Sequence, residues 1–294
     1  MAVIENYSMG KIFYSTALTL LVAAVVIPAA AFGGTYTANY LGGGIWEQDG
    51  GWSTTAYPNN GHFVVINGNA VPDNSPLYNG SIANPAPCTL GIGVAIQSLS
   101  LASGATLNVQ NNSNVTSNGA VVLGGTLTLN STADRSQLRA GSGSGLTGTG
   151  LVLMSDSATN YISGTADGFT FTINAGGIVR GAGQMNLGFF GGNEHLLNYV
   201  NHGLIEATQP NNFLQIGLST NVGADLTNDG TLRVRNSGRL REHGFGGIAA
   251  VNNSGGTINA IENGKVRIAL GVTVTGGTLT TAGNGTIGGD GTRR

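Results

Sequence analysis

Six cationic side chains between residues 233 and 267 form the densest cluster of chemistry in the sequence. Arg233 and Arg235 alternate with Leu232 and Val234, Arg239 and Arg241 flank Leu240, and Lys265 and Arg267 flank Val266. Successive side chains on a strand point to opposite faces. The aliphatics therefore face a core and the cations face solvent. Stacked strands would gather the six into a basic stripe for an anionic glycan or lipopolysaccharide. Outward charges also guard strand edges and keep sheets soluble, so the stripe has a structural reading too. The chain holds 12 Lys and Arg. Lys11 sits in the leader described below, which leaves six of the other eleven in this one stretch.

Acid–base or metal chemistry is harder to assemble. A polysaccharide lyase or hydrolase needs converging carboxylates to bind calcium or move protons. Here the acids are few and scattered. Asp156, Asp167 and Arg180 have spacings that would place them on neighbouring coils, but they read as solvated turn residues. Glu194 with His195, and His202 with Glu206, read as polar loop positions. Gly288-Gly289-Asp290-Gly291 has the flavour of a calcium-binding repeat, yet it occurs once and out of register. His62, His195, His202 and His243 lack zinc-ligand spacing. No phosphate-cradling glycine motif stands between a strand and a helix. The sequence predicts no catalytic residues, no metal and no cofactor, and an enzyme is the less favoured alternative.

The elements that must position the stripe are short and numerous. Glycine makes up 50 of 294 residues, and charged residues only 9%. With 40% hydrophobic residues and a net charge of −2, a buried core is feasible. The balance gives no overall attraction to nucleic acid or acidic membranes. One cysteine, Cys88, excludes an intramolecular disulfide. β-prone runs bounded by Gly, Asn, Ser and Thr recur, among them 62–66, 95–101, 105–109, 120–123, 126–129, 151–154, 169–173, 204–207, 214–218, 231–234, 265–270 and 272–279. Four of these segments are versions of one another. Gly203-Leu204-Ile205, Gly230-Thr231-Leu232, Gly256-Thr257-Ile258 and Gly277-Thr278-Leu279 begin 27, 26 and 21 residues apart. A period in this range marks a solenoid, in which no coil buries its apolar face alone and stacked coils do. Each glycine is expected at a corner, where positive φ is free of a Cβ penalty.

The expected fold is all-β: a right-handed parallel β-helix over residues 88–294, with an irregular N-terminal cap and first coil over 32–87. The cap region holds Trp46, Trp52 and five of seven prolines. Residues 1–31 read as a signal-peptide helix. Lys11 precedes an apolar run from Ile12 to Ile27, Pro28 breaks it, and Ala29-Ala30-Ala31 supplies a cleavage site. Export is therefore expected, with membrane contact through this segment only.

Two stretches carry a family resemblance. Ile45-Trp46, Gly51-Trp52, Tyr57-Pro58-Asn59-Asn60-Gly61 and Val64-Val65-Ile66 resemble the opening of bacterial exported β-helix repeat proteins. Ile96-Gln97-Ser98-Leu99-Ser100-Leu101-Ala102-Ser103-Gly104-Ala105-Thr106-Leu107-Asn108-Val109 is similar to a coil of autotransporter passenger-like and sorting-signal-tailed surface proteins. The resemblance implies a secreted or cell-surface β-helix, adhesive or structural. Such proteins end in an outer-membrane barrel or a sorting tail. The sequence up to Arg293-Arg294 shows neither, and a C-terminal continuation is expected.

Overall fold

The computed structural model describes residues 36–39, 62–66, 88–91, 93–186, 195–218, 225–244 and 249–289. The chain divides into two units, residues 1–36 and 37–294. All of the first but Tyr36 lies outside the described residues, and with it the signal segment. The cap is described only at the strands Tyr36–Asn39 and His62–Ile66.

The described part of the second unit is a parallel β-solenoid. From Cys88 to Gly289 the described strands fall in turn into three sheets, one short strand to each per coil. A middle coil shows the pattern: Thr126–Asn130 lies in sheet 1, Ser136–Ala140 in sheet 2 and Ser144–Leu146 in sheet 3. The sheets hold nine, nine and ten strands in turn. Among the described residues there is no helix.

The aliphatic alternation builds the core directly. In sheet 1, Leu107, Leu127, Val152, Val179, Ile205, Leu232 and Ile258 stack in register, and each is fully buried. Sheet 2 supplies a second file of Val115, Leu138, Ile162, Met185 and Ile216. Sheet 3 lays Leu123, Leu146 and Ile173 over one another, then changes chemistry. Asn201 follows Ile173 in the file, and Asn228 follows Asn201. Asn201 Nδ2 donates to Asn228 Oδ1, and Asn228 Nδ2 donates to Asn253 Oδ1, each at 2.6 Å. All three amides are buried, and each donor of one is met by the carbonyl of the next, which removes the desolvation cost of burying them.

The four glycine-led segments stack as the repeat implies. Leu204, Thr231, Thr257 and Thr278 pair in succession. The reason for the glycines differs from the expected one. Of the four, only Gly277 has positive φ, at 67°. The others are needed because backbone passes too close for a side chain. A Cβ on Gly230 would stand 2.4 Å from the Gly203 carbonyl oxygen, itself backbone. Gly230→Ala should therefore lower stability by about 2 kcal/mol, by forcing neighbouring corners apart. Thermal unfolding of the two chains side by side would show it, and an unchanged midpoint would mean the corner yields freely.

Candidate functional site

The fold sorts the six cations onto two walls. Arg239 and Arg241 lie on a sheet 2 strand, Arg239–Gly244, and pair in register with Lys265 and Arg267 on the next, Lys265–Ile268. These four outward residues form a square. Neighbouring strands are about 4.8 Å apart, and alternate residues along a strand about 7 Å. Lys265 and Arg267 are exposed, and Arg239 and Arg241 half-buried.

The square ends a longer file. Gln137, Tyr161, Gln184, Gln215, Arg241 and Arg267 follow one another on six consecutive rungs of sheet 2. At about 4.8 Å per rung they span about 24 Å along the solenoid axis. Two aromatic rings on this wall carry guanidinium groups. Arg239 lies over Phe213 at 5.6 Å, and Arg135 over Tyr161 at 5.0 Å. The ring faces hold these cations in place. The described strands of sheet 2 contain one carboxylate, Glu242, and it points inward, fully buried. The outward side of those described strands therefore has amide, aromatic and cationic groups with no acid among them, although Gln137 and Tyr161 are themselves buried.

Arg233 and Arg235 take a different role. They turn onto Glu206, one coil earlier in sheet 1. Arg233 Nε donates to Glu206 Oε1 at 2.7 Å and Arg235 Nε to the same oxygen at 2.6 Å. From the other side Arg180 Nε donates to Oε2 at 2.5 Å. Register explains the meeting: Glu206 pairs with Arg180 below and Arg233 above. The Glu206 side chain is wholly buried while the three arginines are about a third exposed. Burial alone would push the Glu206 carboxyl up. Hydrogen bonds from Arg235, Arg233 and Arg180 outweigh that and hold it below its ordinary value. Charge is largely spent within this group, and of the six cations Arg239, Arg241, Lys265 and Arg267 on sheet 2 stand apart from it.

The remaining candidates do not converge. Asp156 accepts from the amides of Asn211 and Asn212 and ties down the turn before Phe213. Asp167 accepts from the Leu196 backbone, and His195 Nδ1 stands 3.3 Å from it. Arg180 belongs to the Glu206 group, so Asp156, Asp167 and Arg180 form no common site. His202 faces Asp229 at 3.5 Å and has no part in the Glu206 group. Glu194 and Asp290 lie outside the described residues. Among the described residues no three His, Cys, Asp or Glu side chains group as metal ligands.

Two features escaped the reading of sequence. The arginine clasp on Glu206 was legible in principle, because aligning Leu204-Ile205-Glu206 with Thr231-Leu232-Arg233 places the acid against the base. Glu242 was legible too. In Arg239-Leu240-Arg241-Glu242 the alternation that sends the arginines out sends the glutamate in. It occupies the next rung of the sheet 2 core file, between Ile216 and Ile268.

Fold and wall together define a class: a parallel β-solenoid whose described sheet 2 strands carry a basic, aromatic-bearing outward side with no acid on it. No family model, curated protein or solved structure matches the chain.

Proposed function

We propose that this is an exported, non-enzymatic β-helix protein, adhesin-like or structural, that meets anionic glycans at the cell surface along sheet 2. The coil is read as right-handed, the hand of nearly all connections between parallel strands of one sheet. The observation that carries the proposal is the accessible part of the file, from Gln184 to Arg267, with Arg239 and Lys265 beside its basic end. A linear polymer of acidic sugars is matched to it in three ways. Its charges meet the square of cations, its hydroxyls meet the half-buried Gln184 and Gln215, and its sugar rings lie along the half-buried pair of Arg239 and Phe213. A straight row of equally spaced rungs suits a polymer better than a compact ligand.

The test is binding of polygalacturonate to the full chain. Replacing Arg239, Arg241, Lys265 and Arg267 with glutamine should weaken binding by roughly tenfold or more and flatten its dependence on salt. Replacing Arg233 and Arg235 should leave the salt dependence intact, since those two are engaged with Glu206. Unchanged binding by the fourfold variant would sink the proposal.

A further inference from the structure

Sheet 3 carries a concave surface whose chemistry differs from that of the sheet 2 wall. A groove of about 450 Å3 runs across its outer wall. Its floor is three residues side by side: Val122, Gly145 and Thr172. Gly145 has no side chain, so the middle rung sinks between its neighbours. The backbone fixes that notch, because a Cβ at Gly145 would come within 2.2 Å of the Thr172 carbonyl oxygen. Val122 is 38% exposed, one of few large apolar side chains left open to solvent in the described region. Phe169 closes one side. It packs partly on the core and stays partly open to the groove.

Ser144 in the lining is engaged with the Val121 and Gly141 backbone, but much of the remaining polar lining is unspent. The hydroxyls of Ser142, Thr147, Thr170 and Thr172 make no hydrogen bond among the described residues, although the groove gathers all four. Asn174 donates its amide hydrogen to the Leu146 carbonyl at 2.9 Å, which leaves its own oxygen as an acceptor. Among the described residues no charged side chain lines the groove.

We propose that this groove binds a neutral saccharide, one or two pyranose rings in size. The volume falls in the range of small-molecule sites, about 300–1,000 Å3. A pyranose has an apolar face for Phe169 and Val122, and a rim of hydroxyls that both donate and accept. Threonine and serine hydroxyls do the same, so the two sets are mutually satisfying. An acidic sugar would find no counter-charge here. A purely aliphatic ligand would strip water from four hydroxyls without replacing their bonds, which is unfavourable. The site lies on a different sheet from the basic wall and stands or falls independently of it.

Ligand-observed NMR on the full chain tests this with cellobiose, maltose and diacetylchitobiose, and with methyl glucuronide as the acidic comparison. At least one neutral disaccharide should bind saturably, in the millimolar range or tighter, with no dependence on salt. Thr170→Val with Thr172→Val keeps shape and strand preference while removing two hydroxyls, and should weaken binding about tenfold, a typical penalty for lost polar partners. Phe169→Leu should weaken it as well. Glutamine at Arg241 and Arg267 should leave it unchanged. The proposal is overturned if none of the three binds, if the double valine variant binds as well as the parent, or if the glucuronide is preferred.

Discussion

Glu206→Ala is expected to destabilise the solenoid by about 3 kcal/mol, the lower end of what breaking a buried ion group costs. The lower end applies because the arginines keep about a third of their surface in water. The damage comes from what remains. Removing the carboxylate leaves Arg180, Arg233 and Arg235 facing one another across two rungs with nothing between them. Glu206→Gln should do less, since an amide oxygen still accepts one of the guanidinium bonds. Replacing all three arginines along with Glu206 should recover much of the loss, because the uncompensated charges go too. If the alanine variant unfolds at the parent's midpoint, the cluster contributes nothing to the fold.

The same group sets an acid limit. The folded Glu206 carboxyl titrates below its ordinary value of 4.5. Its contribution is therefore complete above that value and is lost as pH falls through the lower folded one. A parent that loses stability on acidification, beside a Glu206→Gln chain that loses less, would locate this part of the effect.

Much of the architecture was readable because a solenoid writes its period into the sequence. The strands Leu151–Met154, Leu204–Ala207 and Thr231–Val234 fall where alternation of apolar residues puts them. Corners were harder. Residues 95–101 read as one strand, yet the chain forms two, Gly93–Ile96 and Ser98–Leu101, in different sheets. The trace of the corner is that buried Ile96 and Leu99 are three apart where a single strand would keep them two apart. Residues 272–279 hide a corner in the same way, at Gly276-Gly277. Strands were missed outright where serine or asparagine fills inward positions. Ser113–Ser117 and Ser136–Ala140 look like turns by composition. Their buried hydroxyls serve neighbouring backbone instead, as Ser136 Oγ does by donating to the Val109 carbonyl at 2.8 Å. The basic stripe was legible as six outward cations. Its division between two walls was not, because a flat alternation pattern carries no information on which sheet a strand joins.

Glu242→Leu is expected to stabilise the chain by about 3 kcal/mol in mildly alkaline solution and to change little in acid. Glu242 stands where the sheet 2 core file otherwise has aliphatic side chains. Ile216 and Ile268 lie above and below it, Leu240 is its inward neighbour on the same strand, and neither carboxyl oxygen has a hydrogen-bond partner among the described residues. Burial with no counter-charge pushes its pKa up, from 4.5 to about 7. Below 4.5 the group is protonated in folded and unfolded chains alike and has no effect on the balance. Between 4.5 and about 7 the unfolded chain gives up the proton and the folded chain keeps it, so stability falls as pH rises. Above about 7 the folded chain must hold a bare charge in its core, and the penalty is full. Leucine removes the titration and fills the file with the kind of side chain its neighbours already have. Unfolding measured from about pH 5 to about pH 8 should therefore slope downward for the parent, and Glu242→Leu should remove that part of the slope. Hydrogen exchange at Leu240 and Val266 should report the difference locally, because coils of a solenoid open in part before they open as a whole. A slope that persists undiminished in the leucine variant would assign the pH dependence elsewhere and take Glu242 out of the account.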